Sequence, residues 1–193
     1  AMSASKTYIS FLAAKKRVDD RALNRHVWLE LTARLRPMNR KTLRVIEFGA
    51  GIGTMLERVT QWGISPRMHY TMVDLNPDYL DAFRSRYGSR YLVRSDKSQD
   101  GGFEKAVTPE MRDEPTVEII CADLYDVIAD PQFQGRWDLI IAHAVMDLVD
   151  AGVVLAGFAR LAKPGGLLYL SLIFDGLTEF LPWEYSEFEH ELI

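Results

Sequence analysis

A single cysteine, Cys121, stands among 193 residues, so no disulfide braces this chain and no cysteine-rich zinc cluster forms in it. Long apolar runs are missing too. None approaches the ~20 residues a membrane-spanning helix needs, and the N-terminus lacks the apolar core of a signal peptide. Glycine and proline together make up only 13 and 8 residues, too few for a collagen-like or low-complexity chain, and no internal repeat is present. These absences leave a soluble globular protein, expected in the cytoplasm. At 22.0 kDa it has one core and no need of staples, since a domain of this size buries roughly 70% of its extended surface.

Charge is unevenly placed. Residues 1–44 carry 11 Lys or Arg against 3 acids, a balance of +8, and the remaining positions carry 12 against 24, a balance of −12. A basic front could meet an anionic ligand, but a solvated helix face complementing an acidic body accounts for it as well. With a pI near 5.6, neither nucleic acid nor a membrane is expected as a partner.

Periodicity supplies the organisation. Leu23, Val27, Leu31 and Leu35 recur four apart between arginines and precede Pro37, which predicts an amphipathic helix over 19–36, with a shorter helix before it near Tyr8–Lys16. Five short apolar runs follow, at Arg44–Phe48, His69–Val73, Val117–Cys121, Trp137–Ala142 and Leu167–Phe174, with helix-like stretches at Thr54–Trp62, Pro77–Arg86, Leu124–Ala129 and Ala151–Ala162. That alternation predicts a doubly wound α/β fold: a mostly parallel sheet with helices on both faces. Ligands of such sheets bind outside the carboxyl ends of the strands, where strand order reverses. Polar Arg94–Thr116 reads as a surface excursion or a substrate lid.

The residues just after each strand therefore carry the functional signal. The first run ends in Glu47-Phe48-Gly49-Ala50-Gly51-Ile52-Gly53 and a helix opens at Thr54. Glycines there allow a tight turn and close approach of backbone to ligand, next to the unpaired N–H groups of a helix N-terminus. The dinucleotide fingerprint G-x-G-x-x-G would require glycine or alanine at position 54, so a nicotinamide-dependent oxidoreductase is disfavoured. The E-x-G-x-G-x-G pattern instead resembles the cofactor motif of the class I S-adenosylmethionine-dependent methyltransferases, whose fold is Rossmann-like.

The resemblance implies S-adenosylmethionine as cofactor, methyl transfer to a small-molecule substrate by in-line displacement, and a set of site residues. Gly49, Ala50, Gly51 and Gly53 would lie against the methionine part, with Glu47 supporting the turn. Asp74, 21 residues beyond Gly53, is placed to accept from a ribose diol, with Leu75 on the adenine and Asn76 the better cap for the helix at Pro77. Asp123 and Leu124 would meet the adenine edge, although Asp123 is equally an ordinary helix cap. Ala142 and His143 end the fourth run facing the crevice. His143 is the candidate general base, and shaping the pocket is its other reading. The Asn/Asp-Pro-Pro-aromatic signature of amino-methylating branches is absent at this point, and Lys163-Pro164-Gly165-Gly166 match the turn into the fifth strand. Cys121 is expected to be a small buried hydrophobe.

The resemblance spans about Arg44–Phe174. Residues 1–43 are expected to form a helical cap on a core domain of 44–193, with Tyr8, Phe11, Arg17 and Trp28 as lid candidates. Only 19 residues follow Phe174, with six acids and no Lys or Arg, short of the helix and antiparallel hairpin the resemblance calls for. A minimal variant or a fragment of a longer protein would both account for that. A methyltransferase-like binding module without turnover remains the alternative function.

Overall fold

The computed structural model describes residues 4–38, 42–65, 67–95 and 115–172. Six parallel strands form one sheet in the order β3-β4-β2-β1-β5-β6, where β1 is Leu43–Phe48, β2 Met68–Asp74, β3 Leu92–Ser95, β4 Thr116–Cys121, β5 Trp137–His143 and β6 Ala162–Ser171. The helices are α1 (Ala4–Ala22), α2 (Arg25–Leu35), α3 (Thr54–Gln61), α4 (Pro77–Tyr87), α5 (Leu124–Ala129) and α6 (Ala151–Leu161). None of the described helices is long and apolar enough to cross a membrane.

Alternation along the strands divides the core in two. Val45, Tyr70, Met72, Val117, Ile119, Leu139, Ile141 and Tyr169 point to one face, where α2, α3 and α4 cover them with Leu31, Leu35, Met55, Val59, Leu80 and Phe83. Ile46, Phe48, Val73, Ile140 and Ala142 point to the other, against Val127, Ile128, Val154, Phe158 and Leu161 of α5 and α6. Both faces being buried explains why the strands read as continuous apolar runs. Phe48 stacks on Phe158 with centroids 5.0 Å apart, and each such fully buried side chain contributes about 1.5–3 kcal/mol.

The chain leaves β1 through α3 to β2 on one side, and later returns to place β5 on the other side of β1. Strand order reverses between β1 and β5, which fixes where a ligand cleft opens.

Several expectations need correction. The helix predicted over 19–36 is broken: α1 runs to Ala22, and Asn24 starts α2 by accepting from the amides of His26 (2.9 Å) and Val27 (3.3 Å). A local cap outweighs the apolar row, and Val27 is exposed while Trp28, Leu31 and Leu35 form the buried stripe. Five strands were expected and six are present, because Leu92–Ser95 pairs with β4 at the sheet edge. The segment read as an excursion thus begins as a strand, and residues 96–114, where a lid was considered, lie outside the described residues. The Lys163–Gly166 turn is the irregular start of β6, with a register shift opposite Trp137–Leu139 and Gly165 at φ 79°. Cys121 is exposed rather than buried: it ends β4 where the sheet opens, its Sγ 3.7 Å from the Leu75 carbonyl.

Candidate functional site

The ends of β1, β2, β4 and β5 open on one cleft of about 500 Å³, a volume suited to a small ligand. Its base is the turn after β1. Gly49, Gly51 and Gly53 all adopt positive φ (66°, 54° and 81°), the region glycine enters without steric penalty. A Cβ on Gly49 would collide with the Val145 side chain, and one on Gly53 with the Phe83 ring. Gly49, Ala50 and Gly51 line the cleft; Gly53 does not, and neither does Ala142. Gly53 faces the protein interior and starts α3, so its glycine serves packing and turn geometry.

Asp74 ends β2 beside this turn. Its Oδ2 accepts from the Gly51 amide at 2.7 Å and its Oδ1 from the Asn76 amide at 2.8 Å. Burial raises its carboxyl, and the two amide hydrogen bonds act in the opposite direction. A carboxylate offers about four lone-pair sites, so two acceptor positions remain for a ligand. Asn76 caps α4 through the Asp78 amide (2.9 Å) with Pro77 following, as its sequence position suggested. Leu75 stands 67% exposed at the rim, which leaves an apolar side chain for a ligand to cover. Asp123 both lines the cleft and caps α5 through the Tyr125 amide at 2.8 Å, and Leu124 lines the same wall.

Glu47 reaches the cleft but is nearly enclosed. The Tyr70 hydroxyl donates to its Oε2 at 2.7 Å. Burial pushes the Glu47 carboxyl up to about 8, against the lowering effects of Tyr70 and Arg58. The glycine turn is thus held by Asp74, while Glu47 is tied to the neighbouring strand.

His143 ends β5 and lines the cleft. Its Nδ1 lies 2.6 Å from Ser171 Oγ at the end of β6. Burial, followed by the Arg58 charge, pushes the ring down to about 4, so it is neutral at pH 7. Ala144, next to it, sits at φ 57°, a strained conformation for a residue with a Cβ, and its amide donates to the Ser171 carbonyl at 2.8 Å.

The remaining wall is α1. Tyr8, Phe11, Leu12, Lys15 and Asp19 face the cleft, and Tyr8 stacks on Tyr79 with centroids 5.8 Å apart. Of the lid candidates, Tyr8 and Phe11 therefore reach the site. Arg17 is exposed, and Trp28 is core, edge-on to Trp62 and Tyr169. What holds α1 is Arg58 of α3, a fully buried guanidinium whose Nε donates to Asp20 at 2.5 Å. Burial alone would raise the Asp20 carboxyl, and the hydrogen bonds and charges of Arg58 and Lys16 outweigh it and hold it below the usual range. Lys15, Asp19, Asp20, Arg58, Tyr79, Tyr125 and Ser171 are the residues that sequence reasoning missed. Arg58 shares the buried face of α3 with Met55, Leu56 and Val59, but its partner helix is distant in sequence.

With the geometry described, comparison with known proteins gives it a family. A family model described as a methyltransferase domain matches residues 20–193. The chain belongs to this family of methyltransferase domains. No curated protein matches it. Among solved structures, it is similar to phosphoethanolamine N-methyltransferase 2 of Haemonchus contortus in complex with S-adenosyl-L-methionine (16% identity, 83% of this chain and 31% of that one, TM-score 0.48). It is also similar to CrArsM, an arsenic(III) S-adenosylmethionine methyltransferase from Chlamydomonas reinhardtii (23% identity, 78% and 44%, TM-score 0.47). A third is the PH0226 protein from Pyrococcus horikoshii (17% identity, 74% and 57%, TM-score 0.46). The chain spans less than two thirds of the length of each of them.

Proposed function

We propose that the cleft binds S-adenosylmethionine and that the protein transfers its methyl group to a small-molecule acceptor. The observation that carries this reading is convergence: the Gly49–Gly51 turn, Asp74, Asp123 and His143 come from four different strands and line one cleft at the point where strand order reverses. The residues present fit the cofactor. Asp74 keeps free acceptor positions for a ribose diol, Leu75 and Leu124 offer apolar contact for a base, and the absence of side chains on Gly49 and Gly51 leaves backbone open to the amino-acid end.

Bound there, S-adenosylmethionine supplies a methyl on a sulfonium whose leaving group departs as a neutral thioether. What remains for the chain is to align the acceptor with the methyl–sulfur axis and to exclude water, and orientation of this kind is worth up to about 7–11 kcal/mol. The α1 wall, with Tyr8 and Phe11, offers aromatic surface beside the cofactor position against which an acceptor could be aligned.

Calorimetric titration with S-adenosylmethionine, S-adenosylhomocysteine and NADH tests the cofactor half, with Asp74→Ala as control. Selective binding of the two sulfur nucleosides, lost or weakened in the variant, is the expected result. Binding of NADH alone would overturn the reading. Turnover is tested separately, by release of S-adenosylhomocysteine in a screen of small amines, thiols, phenols and carboxylates.

A further inference from the structure

Four charged or polar groups surround the His143 ring from three elements: Lys15 and Asp19 of α1, Arg58 of α3 and Ser171 of β6. Of these, Asp19 approaches Nε2 and Ser171 approaches Nδ1. His143 Nε2 is buried and has no hydrogen-bond partner among the described residues. Asp19 Oδ2 lies 3.9 Å from it. That is too long for a hydrogen bond and close enough for charge to matter. A lone pair on Nε2 would face that carboxylate, which is unfavourable, whereas an N–H there would face it favourably; the Arg58 and Lys15 charges act on the ring in the opposite sense. Ser171 Oγ, 2.6 Å from Nδ1, can rotate its hydroxyl to donate or accept, so it accommodates whichever tautomer the other side selects.

We infer that Asp19 and Ser171 are positioning residues that hold His143 as its Nε2–H tautomer, Ser171 donating to Nδ1 and the Nε2–H directed at α1. The ring then joins the end of β5 to the helix that walls the cleft, and its one lone pair, on Nδ1, is taken by Ser171 instead of being free for a general base. Asp19 has a double duty, since its Oδ2 also lies 3.9 Å from Arg58 Nη2. The same carboxylate therefore faces both the anchor of α1 and the ring at the floor of the site. The consequence for catalysis rests on reading the cleft as a methyl-transfer site; the tautomer itself does not.

Long-range proton–nitrogen correlation on the ligand-free, nitrogen-15-labelled protein at pH 7 reads the tautomer directly, because protonated and unprotonated ring nitrogens resonate far apart. His143→Gln assigns the signal against His26, His69 and His190. The expected spectrum has His143 Nε2 protonated and Nδ1 bare, and a protonated Nδ1 would overturn the proposal. Asp19→Asn should bring the two tautomers to comparable populations, and Ser171→Ala should shift Nδ1 towards a nitrogen without a donor. A spectrum unmoved by either change removes that residue from the role. If α1 loosens in a variant, the wild-type spectrum still decides. Affinity for S-adenosylhomocysteine gives the functional readout. His143→Ala should weaken it about tenfold, and His143→Gln, which keeps an N–H near the Nε2 position, should recover most of the loss. Equal loss in both would contradict the positioning role. A wild-type protein that binds no S-adenosylhomocysteine would instead defeat the reading of the cleft and leave the tautomer result standing.

Discussion

The two halves of the cleft are built from different materials. Along β1, β2 and β4 the polar contacts use backbone amides and short carboxylates at the strand ends: Asn76 on Asp74 and Tyr125 on Asp123 two residues apart, and Gly51 on Asp74 across the paired strands β1 and β2. Along β5, β6 and α1 they are side chains brought together across the sequence, such as Arg58 with Asp20 and His143 with Ser171. A site made of local backbone geometry is set as soon as its strands pair. A site made of side chains from a separate helix exists only while that helix stays docked.

The largest expected effect lies in the first half. Gly53→Ala combines a positive φ with a methyl directed into the Phe83 ring, and should cost about 2–4 kcal/mol of global stability in urea unfolding. Next, Asp74→Ala removes the acceptor for two amides and for the ligand, and should weaken binding of S-adenosylhomocysteine on the order of 100-fold in calorimetry. In the second half, Arg58→Met removes the buried cation from Asp19 and Asp20, yet both keep a lysine partner, Lys15 and Lys16, at 2.9 Å and are partly exposed. The loss should be smaller, about 1–3 kcal/mol, and local: tryptic cleavage at Lys15, Lys16 and Arg17 should accelerate while the sheet unfolds nearly as before. If Arg58→Met lowered global stability as much as Gly53→Ala, the distinction between the halves would collapse.

Legibility followed the same division. Strands β1, β2, β4, β5 and β6, the glycine turn, Asp74 and the Asn76 cap were readable, because each is signalled by residues within one β-α unit. Helices α3 to α6 begin where their caps and the apolar period place them. Asp19, Arg58 and Ser171 were not readable, since nothing local distinguishes an arginine that will be buried under a distant helix from one on a solvated face. The 19–36 helix failed for the converse reason: an apolar row four apart suggested continuity, and Asn24 offered a side-chain acceptor that ended it. Edge strand β3 is four residues long and too short for period to register.

Titration separates the halves more finely. Glu47 is raised from 4.5 to about 8, so between those values the folded state binds the proton more tightly than the unfolded one, and stability contributed by this group falls as pH rises through the window. His143 is lowered from 6.5 to about 4. There the unfolded state binds the proton more tightly, and stability falls as pH drops through the window. Glu47→Gln should flatten the alkaline decline in a pH series of melting temperatures, and His143→Gln the acid one. Smallest of all, Cys121→Ser should change stability by less than about 0.5 kcal/mol, and the native thiol should react with a thiol reagent without prior unfolding, given its exposure.

The buried Arg58 gives the cleft a clock as well as a wall. A ligand held between the glycine turn and α1 would rest on a wall that the Arg58–Asp20 pair keeps in place. An ion pair that touches no ligand atom would then help set how long the ligand stays. Variants of Arg58 should therefore shorten the lifetime of the bound state, through faster release, more than they slow its formation.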